Sequence, residues 1–90
     1  MKKAKEEFTV INLPMGRECV ILEGKGKHYF NAMLLAGGNE LKFVKYIILE
    51  LALIDGVLLT ENEIDNMHIR DTNAISEVIS LMMSNEFGIG

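Results

Sequence analysis

Ninety residues carry nine basic and thirteen acidic side chains, a formal charge of −4, and 49% of the chain is hydrophobic. A chain of that length makes one domain, residues 1–90, and buries only about 60–65% of the surface its unfolded form exposes. The acidic balance speaks against nucleic acid as a partner, and the lone cysteine, Cys19, excludes an intrachain disulfide and fits a reducing cytoplasm.

The charge is uneven. Residues 1–49 hold eight basic and five acidic side chains, a balance of +3; residues 50–90 hold one and eight, a balance of −7. Such polarity suits head-to-tail association of copies, although two solvated faces of differing charge produce the same count. Six methionines suit adaptable contacts as well as gap-filling in a core. The opening residues MKKAKEEF lack the apolar run of an export signal. The longest apolar stretch, Tyr46 to Ile54, is broken by Glu50 and falls short of the roughly 20 residues a membrane span needs.

In chain order, residues 1–6 are charged and aperiodic and read as a frayed tail. Phe8–Leu13 and Glu18–Glu23 are rich in β-formers, and Pro14-Met15-Gly16-Arg17 between them is a turn, so the pair predicts a β-hairpin. Gly24-Lys25-Gly26-Lys27 breaks the sheet. His28 to Ala36 has helical spacing, with Tyr29, Met33 and Ala36 on one line and Phe30 and Leu34 beside it; Gly37 is placed to cap that helix in a left-handed conformation.

The stretch around which the chain is organised follows. Leu41 to Asp55 is apolar at eleven of fifteen positions, and Lys42 and Lys45 form its one polar stripe. It predicts a helix over about 41–55 that must be covered on most sides, ended by Asp55-Gly56. Val57-Leu58-Leu59 reads as a short extended piece. Thr60 and Glu63 have the spacing of a capping box and open a short helix to about Met67. Asp71-Thr72 then caps a last helix to about Asn85, with Ile75, Val78, Ile79 and Met82 as its apolar stripe, and residues 87–90 read as a flexible end. The fold class is α+β: an N-terminal hairpin followed by three to four helices around the central one.

The residues show no catalytic or metal-binding constellation, and no cofactor is expected. The Gly24–Lys27 loop resembles an anion cradle but matches neither the P-loop nor the dinucleotide spacing, and reads as a strand-to-helix connection. Aligning Gly56 with the glycine of a calcium loop places Leu51 and Leu53 where carboxylates are required, which excludes an EF-hand. Cys19, His28 and His68 have no second ligand at metal spacing. A helix-turn-helix reading of the C-terminal helices offers acids and serines to DNA, with only Arg70 nearby to meet phosphate.

Taken together, these features resemble the small tail assembly chaperones encoded by long-tailed phages and prophages. The resemblance covers residues 16 to 86. It rests on the order of Gly24-Lys25-Gly26-Lys27-His28 before a helix containing Ala32, then Ala36-Gly37-Gly38-Asn39-Glu40. Ile54-Asp55-Gly56, Leu59-Thr60-Glu61-Asn62-Glu63-Ile64 and Asp71 follow. It implies a non-enzymatic protein of the bacterial host cytoplasm that binds the long tape-measure protein while the tail tube forms, and that self-associates. In many such phages a frameshift yields a longer second form. Under that reading Met82, Met83 and Phe87 are the first choice for the partner surface, and Tyr29 and Met33 the second. The rival reading is a small oligomeric cytoplasmic adaptor or regulator unconnected with phage.

Overall fold

The structure, a computed structural model, describes residues 7–84. The sequence-predicted tail at 1–6, the flexible end at 87–90 and Phe87 all lie outside those residues.

Strand β1 (Glu7–Asn12) and strand β2 (Glu18–Leu22) form the expected antiparallel hairpin, in register from Asn12 opposite Glu18 to Thr9 opposite Ile21, with an irregularity between Glu7 and Thr9. Pro14 opens the turn, and Gly16 takes φ +106°, a conformation that suits glycine. The Gly16 N–H donates to Leu13 O at 2.8 Å, and the Leu13 N–H donates to Arg17 O at 2.7 Å. Cys19 and Ile21 alternate inward and are fully buried.

Helix α1 (Gly26–Ala36) and helix α2 (Glu40–Leu51) form a helical hairpin across Gly37-Gly38-Asn39. Gly37 is the left-handed cap that its position predicts (φ 59°), and the Asn39 side chain accepts from the Lys42 N–H at 3.0 Å to start α2. Helix α1 starts two residues earlier than the sequence suggests. The third residue of its first turn, His28, turns back so that Nδ1 accepts the Lys25 N–H at 3.0 Å.

The central helix is shorter than its sequence predicts. It ends at Leu51, and Ala52–Ile54 is strand β3, paired antiparallel with β2 through Val20 opposite Leu53 and Ile21 opposite Ala52. Asp55-Gly56 is therefore not a helix stop. It is a two-residue hairpin turn, with φ +57° and +80°, into strand β4 (Val57–Leu58). Positive φ at both positions is the signature of a turn whose twist matches the flanking strands. Tertiary pairing outweighs helical continuity here, because Ala52 and Ile54 face inward on the open side of β2 and are buried there.

Helix α3 (Glu61–Asn66) opens on the capping box. The Glu63 N–H donates to Thr60 Oγ1 at 3.2 Å, and the Thr60 N–H donates to Glu63 Oε1 at 2.8 Å. Lys45 ties α3 to α2 through Asp65 at 2.9 Å and Glu61 at 3.2 Å, and these two carboxylates hold its ammonium pKa above the ordinary lysine value. Helix α4 (Ile69–Met83) is capped by His68, whose Nδ1 accepts from the Arg70 N–H at 3.1 Å, and not by Asp71 as the sequence suggests.

The result is a four-stranded antiparallel sheet in the order β1-β2-β3-β4, with α2 and α4 against it. Ile21, Ile48, Leu51, Ile75 and Ile79 are its fully buried large side chains. Helix α2 is the hub, touching α1, α3, α4 and β4. Helix α1 packs chiefly on α2, through Ala32 and Ala36.

Candidate interaction groove

Helices α1 and α4 both lean on α2, and three adjoining depressions open along it: one against α1, one between α1 and the end of α4, and one against α4. Tyr29, Met33 and Phe43 line the first part, a depression of about 330 Å³ that continues past Ala36 to Glu40. Tyr29, Ile47, Leu51, Met82 and Met83 line a second part of about 280 Å³, closed at one end by Gly24 and His28. Phe43, Val44, Ile47 and Met83 border a third, smaller depression against Ser76 and Ser80 of α4. The shared residues make these one surface: Tyr29 joins the first two parts, Phe43 the first and third, Met83 the second and third.

The walls are apolar and partly aromatic. The Tyr29 ring stands edge-on to Phe43 and to Phe30, with centroids 5.4 Å apart in each pair. Tyr29, Met33 and Met83 are exposed on the rim. Met82 is half-buried in the floor, where its Sδ accepts the Gly24 N–H at 3.3 Å. The structure therefore brings four of the five sequence-predicted contact residues to one groove, and Phe87 lies outside the described residues.

Sequence reasoning missed Phe43, Val44 and Ile47, because they sit in a helix expected to be covered on most sides, and nothing in the sequence marks which side stays open. It also missed how far α1 turns its apolar side chains outward: Phe30 is 63% exposed and Leu34 80%. The signal was present in the composition of α1. Five large apolar residues in eleven exceed what a helix resting on two alanines can bury.

Among the described residues no other cluster offers chemistry. Cys19 is buried on β2 and its thiol is pushed up to about 11, chiefly by desolvation. The Lys25 N–H, a donor an anion in the glycine-lysine loop would need, is taken by His28. The Nδ1 atoms of both histidines are spent on helix N-termini. Among the described residues no three His, Cys, Asp or Glu side chains gather as metal ligands, and no helix is long and apolar enough to cross a membrane. Compared with protein-family models, curated proteins and solved structures, the chain matches none.

Proposed function

We propose that this chain is a non-enzymatic tail assembly chaperone whose groove holds an amphipathic helical segment of a tape-measure protein. The observation that carries this reading is the open apolar channel over α2, walled by Tyr29, Met33 and Met83. A helix laid into such a channel would present apolar anchors at i, i+3, i+4 and i+7. Methionine and aromatic walls suit a client whose successive segments differ, since Met repacks around unlike side chains. The ordered features of residues 16 to 86 supply the phage context.

The test is co-expression of the full chain with a tape-measure-like protein, following the client's solubility and co-elution. The wild-type chain keeps the client soluble and elutes with it. Val44→Glu and Met83→Glu, both at exposed groove positions, leave the chain folded and abolish co-elution. A client that precipitates beside wild-type chain, or that still co-elutes with both variants, overturns the reading.

A further inference from the structure

We infer that the outer face of the sheet, turned away from α2 and α4, is a docking surface for a basic amphipathic helix of another protein. The register fixes that face. Val10 stands opposite Val20, Val20 opposite Leu53, and Leu53 opposite Leu58, so one apolar row crosses all four strands. Their neighbours along the strands, Ile11, Cys19, Ile21, Ala52 and Ile54, turn inward to the core. None of the four row residues belongs to the core cluster, and the half-buried pair, Val20 and Leu53, does not pack against it. At the two edges Val10 is 42% exposed and Leu58 44%. The uncovered face of an antiparallel sheet ordinarily alternates to polar side chains. Here the row is apolar on every strand.

Charge and spacing select the occupant. Two residues along from the row, Asn12 stands opposite Glu18. The β2–β3 register, carried on by two residues, places Asp55 of the β3–β4 turn beside Glu18. Glu7 flanks the other side, opposite Leu22. Among the described residues only Lys45 forms ion pairs, so none of these three acids is engaged. None of the four strands contains a lysine or arginine. Acids beside an apolar row repel nucleic acid and anionic lipid, and attract a basic partner. Spacing then selects a helix over an extended peptide. Strands lie about 4.8 Å apart. Turns of an α-helix rise about 5.4 Å, whereas same-face side chains of an extended peptide recur at about 6.7 Å. A helix laid across the strands therefore sets one apolar side chain over each, at i, i+4, i+7 and i+11, with its basic residues along Glu18 and Asp55.

This surface shares no residue with the groove and does not rest on the client reading. The test is fluorescence anisotropy of the full chain with a labelled fourteen-residue amphipathic helix of leucine and lysine. The same helix with glutamate for lysine is the control. The lysine helix binds at least roughly tenfold more tightly than the glutamate helix, and its affinity falls as salt rises. Val10→Thr with Leu58→Thr keeps strand-forming character at the first edge and weakens binding roughly tenfold. Glu18→Lys with Asp55→Asn weakens it as much and flattens the salt dependence, while asparagine keeps the turn. The groove variants Val44→Glu and Met83→Glu leave it unchanged. Failure of the lysine helix to bind overturns the proposal, as does binding lost in the groove variants and kept in the sheet variants. A self-associated chain that Val10→Thr with Leu58→Thr turns to monomer would give the face to a second copy and overturn it. Binding seen only after Lys2→Ser, Lys3→Ser and Lys5→Ser would give it to the chain's own N-terminal residues and overturn it equally.

Discussion

The backbone N–H of Met15, in the turn of the first hairpin, donates to Asp71 Oδ1 of α4 across 3.0 Å and 56 residues of sequence. Asp71 is 2% exposed and is the only buried charged residue among those described. Its carboxylate lies in the first turn of α4, where the helix dipole favours negative charge. One side chain thus anchors the hairpin to the last helix. Asp71→Ala strands the Met15 N–H and should cost about 1.5–3 kcal/mol of unfolding free energy. Asp71→Asn keeps an acceptor of the same shape and should cost about half as much or less. Urea unfolding of the two variants checks the order.

The two glycines Gly56 and Gly26 respond oppositely to alanine. Neither has any atom within 4 Å of an added Cβ, so packing plays no part. Gly56 sits at φ +80° in the β3–β4 turn. Gly56→Ala should cost about 1–2 kcal/mol, the left-handed penalty for a residue with a Cβ. Gly26 opens α1 without positive φ. Gly26→Ala should leave stability unchanged or raise it by about 0.4–1 kcal/mol, through a less free unfolded chain. Thermal melts of the pair separate a strained turn from an ordinary helix start.

That contrast separates what a short segment encodes by itself from what the tertiary fold decides. Signals carried by one short segment were legible: the Thr60–Glu63 box, the Gly37 cap and the Pro14–Gly16 turn all form as their residues dictate. Ala52–Ile54 was not legible as a strand, because an apolar run fits a buried helix and a buried strand equally. The deciding partner, the free edge of β2, is 31 to 33 residues away in sequence, with Ile21 opposite Ala52 and Val20 opposite Leu53. The one local clue was Asp55-Gly56, a strong hairpin dipeptide that also ends helices. The groove was half legible. Residue type pointed to Tyr29, Met33, Met82 and Met83, but which faces stay open depends on α1 resting chiefly on α2.

Cys19 should be chemically silent in the folded chain. Burial pushes its thiol from 9.0 up to about 11, against smaller opposing effects of the Leu53 backbone and Arg17. The sign follows from proton binding. Below 9.0 both folded and unfolded thiols keep their proton, and the group confers no pH dependence. Above 9.0 the unfolded thiol ionises while the folded one does not, so stability falls as pH rises toward 11. The loss is up to about 1.4 kcal/mol per pH unit. Comparing the alkaline unfolding of wild type with that of Cys19→Ala isolates this slope from the tyrosines and lysines. Thiol labelling should follow global unfolding, not local reactivity. A fast native-state label would contradict the burial.

Ile79 and Met83 lie one turn apart on α4 and separate stability from binding. Ile79 is 2% exposed, inside the cluster that joins α4 to α2 and β2. Ile79→Ala should cost about 2–5 kcal/mol, a large share of the 5–15 kcal/mol that holds a domain together. Met83 is exposed at the junction of two parts of the groove. Met83→Glu should change stability by no more than about 0.5 kcal/mol, as surface substitutions do. Under the chaperone reading, that variant nonetheless loses co-elution with a helical client. Its added charge would have to be buried without a partner. Urea unfolding and co-elution, measured on both variants, should therefore move independently. If Met83→Glu unfolds the chain, its side chain belongs to the core and the groove ends at Tyr29 and Phe43.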